Sequence, residues 1–187
     1  MLISFARFYK TSLVFILTLC CSTPLQLKAS TSACVSGDGQ SLPPTVAVGA
    51  QLTVVYQDER YFEGPSWDAA TGKLYFTAFD KKNQQILRLD ETGKASVWMN
   101  ETQGINGTYL SRNGRLIAAQ AFGHNLLSIK IGKDGPEDIK SLTGNFDGIP
   151  YIQPNDVAES PTTGALYYTD PNFKGRTRSA VYCFGAR

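Results

Sequence analysis

The chain has 187 residues, 42% of them apolar and 18% charged, with 17 Gly and 9 Pro. That composition excludes a disordered tail, a collagen-like rod and a disulfide-dense miniprotein. With 18 basic residues against 16 acidic ones, the formal net charge of +2 is too balanced for a nucleic-acid footprint.

Residues 1–29 carry Arg7, Lys10 and Lys28 and no acid, with the apolar run Ser12–Cys21 between them and Ala29 at the end. A basic start, a short apolar run and a small residue at the cleavage point read as a secretory signal, with cleavage after Ala29 or Ala33. The run is shorter than the roughly 20 residues a membrane-spanning helix needs. The expectation is therefore a secreted or periplasmic protein with no stable membrane span once the signal is removed. Removal takes three of the 18 basic residues and none of the 16 acids, which brings the net charge near −1. Cys20 and Cys21 leave with the signal, while Cys34 and Cys183 either bridge or remain two thiols in a compartment that permits disulfides. No Cys/His cluster has zinc-ligand spacing.

After a Gly- and Pro-rich linker, taken as 30–50, the body at 51–187 reads as all-β. Strand signals fall at Leu52–Tyr56, Lys73–Thr77, Gln85–Leu89, Ser96–Met99, Arg115–Gln120, Leu126–Lys130 and Ala165–Thr169. Turn pairs separate them, among them Thr71-Gly72, Asn113-Gly114 and Thr163-Gly164. Three segments share one pattern: Glu63-Gly-Pro-Ser-Trp67 leading to Gly72-Lys-Leu-Tyr, Asn106-Gly-Thr-Tyr leading to Gly114-Arg-Leu-Ile, and Asn155-Asp-Val-Ala leading to Gly164-Ala-Leu-Tyr. Strand–turn–strand units repeating at about 40–50 residues are the mark of β-propeller blades.

The repeat assigns positions. Glu63, Asn106 and Asn155 hold equivalent places before the turn glycine, so in a propeller each starts an innermost strand and converges on the axis. A carboxylate with neutral carbonyl oxygens suits a hard cation such as Ca²⁺. The alternative for Asn106 and Asn155 is that of turn residues, which Asn favours through its tolerance of the left-handed region.

Glu63-Gly-Pro-Ser-Trp67, Asn106-Gly…Asn113-Gly-Arg-Leu116 and Pro154-Asn-Asp-Val157…Leu166-Tyr-Tyr-Thr-Asp-Pro171 together resemble successive signatures of the SMP-30/gluconolactonase (regucalcin-like) family. The resemblance runs from about Leu52 to Tyr182. It implies a six-bladed β-propeller that opens lactones and sugar-acid esters with Ca²⁺ or another divalent cation. It implies a metal ligand at Glu63, a metal- and substrate-contacting residue at Asn155, and a substrate-side position near the axis at Asn106. Asp156 is expected to point the other way. His124, the only histidine, stands where related lactonases carry a general base, although its spacing departs by two or three residues; a plain loop histidine is the alternative. Arg176 and Arg178 either face a substrate carboxylate or are solvated. Asn100 and Asn106 lie in glycosylation sequons.

The repeats number about three, fewer than a propeller needs to close. Further ligands that the resemblance implies, an Asn and an Asp from later blades, have no counterpart here. The expectation is an incomplete propeller, an N-terminal portion with weak or no activity and with open sheet edges that favour self-association. The rival reading is a non-enzymatic propeller of NHL type used as a binding module.

Overall fold

A computed structural model of the chain describes residues 4–6, 52–80, 82–175 and 178–185. Two units are distinguished. In the first, β1 (Ser4–Ala6) pairs antiparallel with β2 (Leu52–Val54). The rest of the expected signal and linker, with Cys20, Cys21 and Cys34, lies outside the described residues. No helix among the described residues is long and apolar enough to cross a membrane.

The second unit begins at Tyr56 and is built of consecutive antiparallel strands. The first blade is β3 (Tyr61–Asp68), β4 (Lys73–Phe79), β5 (Gln84–Leu89) and β6 (Ala95–Met99), hydrogen-bonded in that order. The second is β7 (Ile105–Leu110), β8 (Arg115–Gln120), β9 (Asn125–Ile131) and β10 (Pro136–Thr143), again in chain order. A small hairpin of β11 (Asn145–Phe146) and β12 (Ile149–Pro150) precedes the third blade. That blade comprises β13 (Val157–Glu159), β14 (Leu166–Asp170) and β15 (Ala180–Phe184). Meandering sheets of this kind, joined in series, form an incomplete β-propeller.

The expected strands are present within a residue or two; the first ends at Val54 rather than Tyr56. Tyr56 turns its ring onto Phe62 and Phe76, each 5.6 Å away, and closes one face of the first blade. The turn glycines at 72, 114 and 164 all have positive φ, at 66°, 76° and 75°. Strands β3, β7 and β10 carry weak sequence signals for physical reasons. The first two are interrupted by Gly or Gly-Pro, and β10 is an exposed, polar edge strand.

The middle blade is packed on both sides. In β8, Leu116 and Ala118 join Tyr75, Ile86, Trp98, Ile105, Leu127 and Ile129 in a core shared with the first blade. The alternate residue Ile117 joins Leu126, Tyr151, Val157, Leu166, Tyr168 and Tyr182 in a core shared with the third. A strand buried on both faces needs an unbroken apolar run, which is what Leu116–Ala119 supplies.

Candidate functional site

Glu63 and Asn106 both sit at irregularities of the inner strands. The β3–β4 register shifts between Glu63 and Ser66, and the β7–β8 register shifts between Ile105 and Thr108. Such bulges re-aim a side chain relative to a regular ladder. Asn155 lies two residues before β13, where its amide donates to the Thr169 carbonyl at 2.9 Å.

The three positions are brought side by side by close backbone approach. A Cβ placed on Gly64 would fall 2.6 Å from the Asn106 carbonyl oxygen, and one on Gly107 would fall 2.7 Å from the Asn155 carbonyl oxygen. The residue after the repeat's polar position is therefore glycine wherever another inner strand is laid against it. In the third blade that place belongs to Asp156, which is exposed.

Hydrogen bonds lock this arrangement. Thr108 Oγ1 donates to the Gly64 carbonyl at 2.5 Å and accepts from Ser66 Oγ at 2.9 Å. Thr77 Oγ1 donates to the Asn106 carbonyl at 2.9 Å, and the Gly107 amide donates to the Asn155 carbonyl at 2.6 Å. Thr77 is fully buried. Ser66, Thr77 and Thr108 were invisible as site residues in the sequence, because a hydroxyl in a β-rich run looks like any strand threonine or serine.

Electrostatics single out Glu63. Its carboxyl titrates above the usual carboxylate range, first because it is half-buried and second because the Asp156 charge lies within reach. Asp156, expected to point the other way, is exposed. Its Oδ1 caps the neighbouring Val157 amide at 2.8 Å, yet its charge is felt at Glu63. Among the described residues no group of three or more His, Cys, Asp or Glu side chains is arranged to hold a metal.

Asn106 and Asn155 line one cavity of about 170 Å³, together with Gln153, Phe79, Phe122 and Phe173. Glu63 and His124 are not among its lining residues. His124 is exposed, has a φ of 55°, and places Nδ1 2.9 Å from the Ile152 carbonyl oxygen. A carbonyl only accepts, so Nδ1 carries the proton. The segment after Tyr151 is held from its other side by Asp170, a buried carboxylate that accepts from the amides of Ile152 and Gln153. Arg178 lies over the Tyr182 ring at 5.9 Å, and Arg176 lies outside the described residues. Asn100 accepts from Gln85 Nε2 at 2.8 Å. Cys183 is exposed on β15, opposite Tyr167.

The family model that matches this sequence is described as an SMP-30/gluconolactonase/LRE-like region and covers residues 62–187. Several solved structures are similar. A gluconolactonase from Xanthomonas campestris is 24% identical, with a TM-score of 0.61, over 73% of this chain and 48% of its own. A luciferin-regenerating enzyme is 17% identical, with a TM-score of 0.53, over 73% and 50%. The nidogen/laminin complex contains a chain 22% identical, with a TM-score of 0.52, over 64% and 43%. At these identities the likeness is one of fold, and the chain spans about half the length of these structures or less. No curated protein sequence matches the chain at a significant level.

Proposed function

The chain belongs to the SMP-30/gluconolactonase/LRE-like family, and we propose on that premise that it carries part of an exported lactone- or ester-hydrolysing site that works with a divalent cation. One observation carries the reading: Glu63 and Asn106 on inner strands and Asn155 just before a third are neighbours through glycine-mediated backbone contact, and Asn106 and Asn155 line one cavity.

The donor set fits a hard cation. A half-buried carboxylate, held above its usual titration range by burial and by a second carboxylate, is a group that a cation would relieve. Glu63 would hold the ion, with the Asn155 and Asn106 side-chain carbonyls as neutral oxygen donors. A bound Ca²⁺ or similar ion supplies Lewis-acid polarisation of an ester carbonyl. The chain's own residues would orient the substrate through Asn106 and Asn155, which line the cavity. His124, outside the cavity lining, serves as a tether for the 151–154 segment through Ile152. Three donors fall short of the six to eight oxygens Ca²⁺ takes, so weak binding and weak turnover go with the residues present. Export rests on residues 1–29 of the sequence.

The test is thermal unfolding and lactone hydrolysis of the chain with Ca²⁺, Mn²⁺ or Zn²⁺ added singly. A rise in melting temperature with at least one ion, lost in Glu63→Gln, is the expected result, with slow hydrolysis that follows the same ion. If no ion raises the melting temperature, the reading fails. If Glu63→Gln leaves the ion's effect unchanged, a binding module without an axial carboxylate becomes the better account, a use of the fold that shape alone cannot separate from hydrolysis.

A further inference from the structure

We propose that the cavity beside Asn106 and Asn155 takes a lactone or ester bearing an apolar arm, in preference to the same lactone without one; this deepens the hydrolase reading and rests on it. The observation is a collar of three phenylalanines, one from each blade. Phe79 ends β4, Phe122 follows β8 by two residues, and Phe173 follows β14 by three, and all three line the cavity. Corresponding loops of consecutive blades thus deliver the same kind of side chain to one place.

The rings of Phe122 and Phe79 are held rather than merely exposed. Phe122 is 57% exposed, yet its ring is seated on Gly104 so closely that a Cβ there would fall 2.6 Å from Cδ2. Gly104 has a φ of 72°, and its carbonyl accepts from the Ala121 amide at 2.9 Å, while the Phe122 amide donates to Gln103 at 3.0 Å. Phe79 is braced by Tyr61, whose ring stacks on it at 5.9 Å with the planes 28° apart. Phe173 is 69% exposed, on a turn in which the Asn172 side chain accepts from the amides of Lys174 and Gly175.

A ring fixed at a cavity while facing water is prepared to cover apolar surface. Asp80, Gln84 and Gln153 also line the cavity and can meet polar groups, but the three phenyl rings return no hydrogen bonds, so hydroxyls set against the collar lose water contacts without replacement. An alkyl or acyl arm loses nothing there. The carboxamides of Asn106 and Asn155 then meet the ester end, and the collar meets the arm.

The experiment measures dissociation constants of δ-valerolactone and δ-decanolactone, which differ by a pentyl arm, for the full 187-residue chain by ligand-observed NMR. The decanolactone is expected to bind at least about 10-fold more tightly, and Phe122→Ala and Phe173→Ala each to reduce the ratio to about 3-fold or less. Both sites are exposed, so folding tolerates the change, and Val97→Ala on β6, outside the cavity, should leave the ratio intact. Equal affinities, or a preference that survives both substitutions, overturn the proposal. If the lactones bind equally and Asn155→Ala abolishes binding, the apolar collar fails while the hydrolase reading stands. If neither lactone binds, both fall.

Discussion

Gly107 and Asn155 are joined twice over: the Gly107 amide donates to the Asn155 carbonyl at 2.6 Å, and no Cβ fits between them. The second and third blades meet at the site through bare backbone. Gly107→Ala should therefore cost about 3 kcal/mol, since the added carbon meets backbone that cannot swing away. Asn106→Ala, one residue earlier and facing the cavity, should cost well under about 1 kcal/mol. Urea denaturation of the two variants reads the difference, and similar midpoints would mean that the inner strands move apart freely.

Asp170 is a buried carboxylate that orders the segment leading into Asn155 by accepting from two successive amides. Asp170→Ala should destabilise the fold by about 3 kcal/mol, because it strands both donors. The Ile152 carbonyl, which meets His124 Nδ1, belongs to the same peptide segment. As the chain has one histidine, its imidazole resonances can be assigned without ambiguity and should shift in this variant. Unchanged resonances would uncouple His124 from the segment that positions Asn155.

Tyr168 links stability to alkaline pH. Burial, then the 2.5 Å hydrogen bond with Tyr151, pushes its hydroxyl far above the usual tyrosine range. In the unfolded chain the hydroxyl ionises near pH 10. Above that pH the unfolded state binds fewer protons than the folded one, so stability falls as pH rises. Tyr168→Phe should move the alkaline unfolding midpoint upward by roughly half a pH unit, as followed by circular dichroism. No movement would place the alkaline transition elsewhere.

Glu63 should act in the opposite sense to an ion-paired carboxylate. Its folded-state titration lies above the unfolded value, so the folded state holds the extra proton and loses stability as pH rises through that interval. Without divalent cation at neutral pH, Glu63→Gln should therefore raise the melting temperature by roughly 1–3 °C. A drop instead would show that the carboxylate makes a favourable contact in the empty protein.

Much was legible from the sequence. Period-two apolar runs, turn glycines and a repeat of polar position, short strand and Gly-X-Leu determined the all-β class, the blade period and the equivalence of Glu63, Asn106 and Asn155. Those features are local, and a strand or tight turn is specified within a few residues. What the tertiary structure alone decided is non-local. The burial of β8 on both faces, the need for glycine at 64 and 107, and the brace of Ser66, Thr77 and Thr108 depend on where a neighbouring blade lies. The meeting of Phe79, Phe122 and Phe173 beside one cavity is of the same kind. Their separations of 43 and 51 residues in sequence carry no signal until the blades stand side by side. The charge of Asp156 at Glu63 belongs here too, because alternation along a strand states which face a side chain leaves from, and only the packed blades state which charges lie within reach. The balanced composition left the chemistry open; the close backbone approach at Gly64 and Gly107, which only the packed blades supply, is what brings the polar positions together.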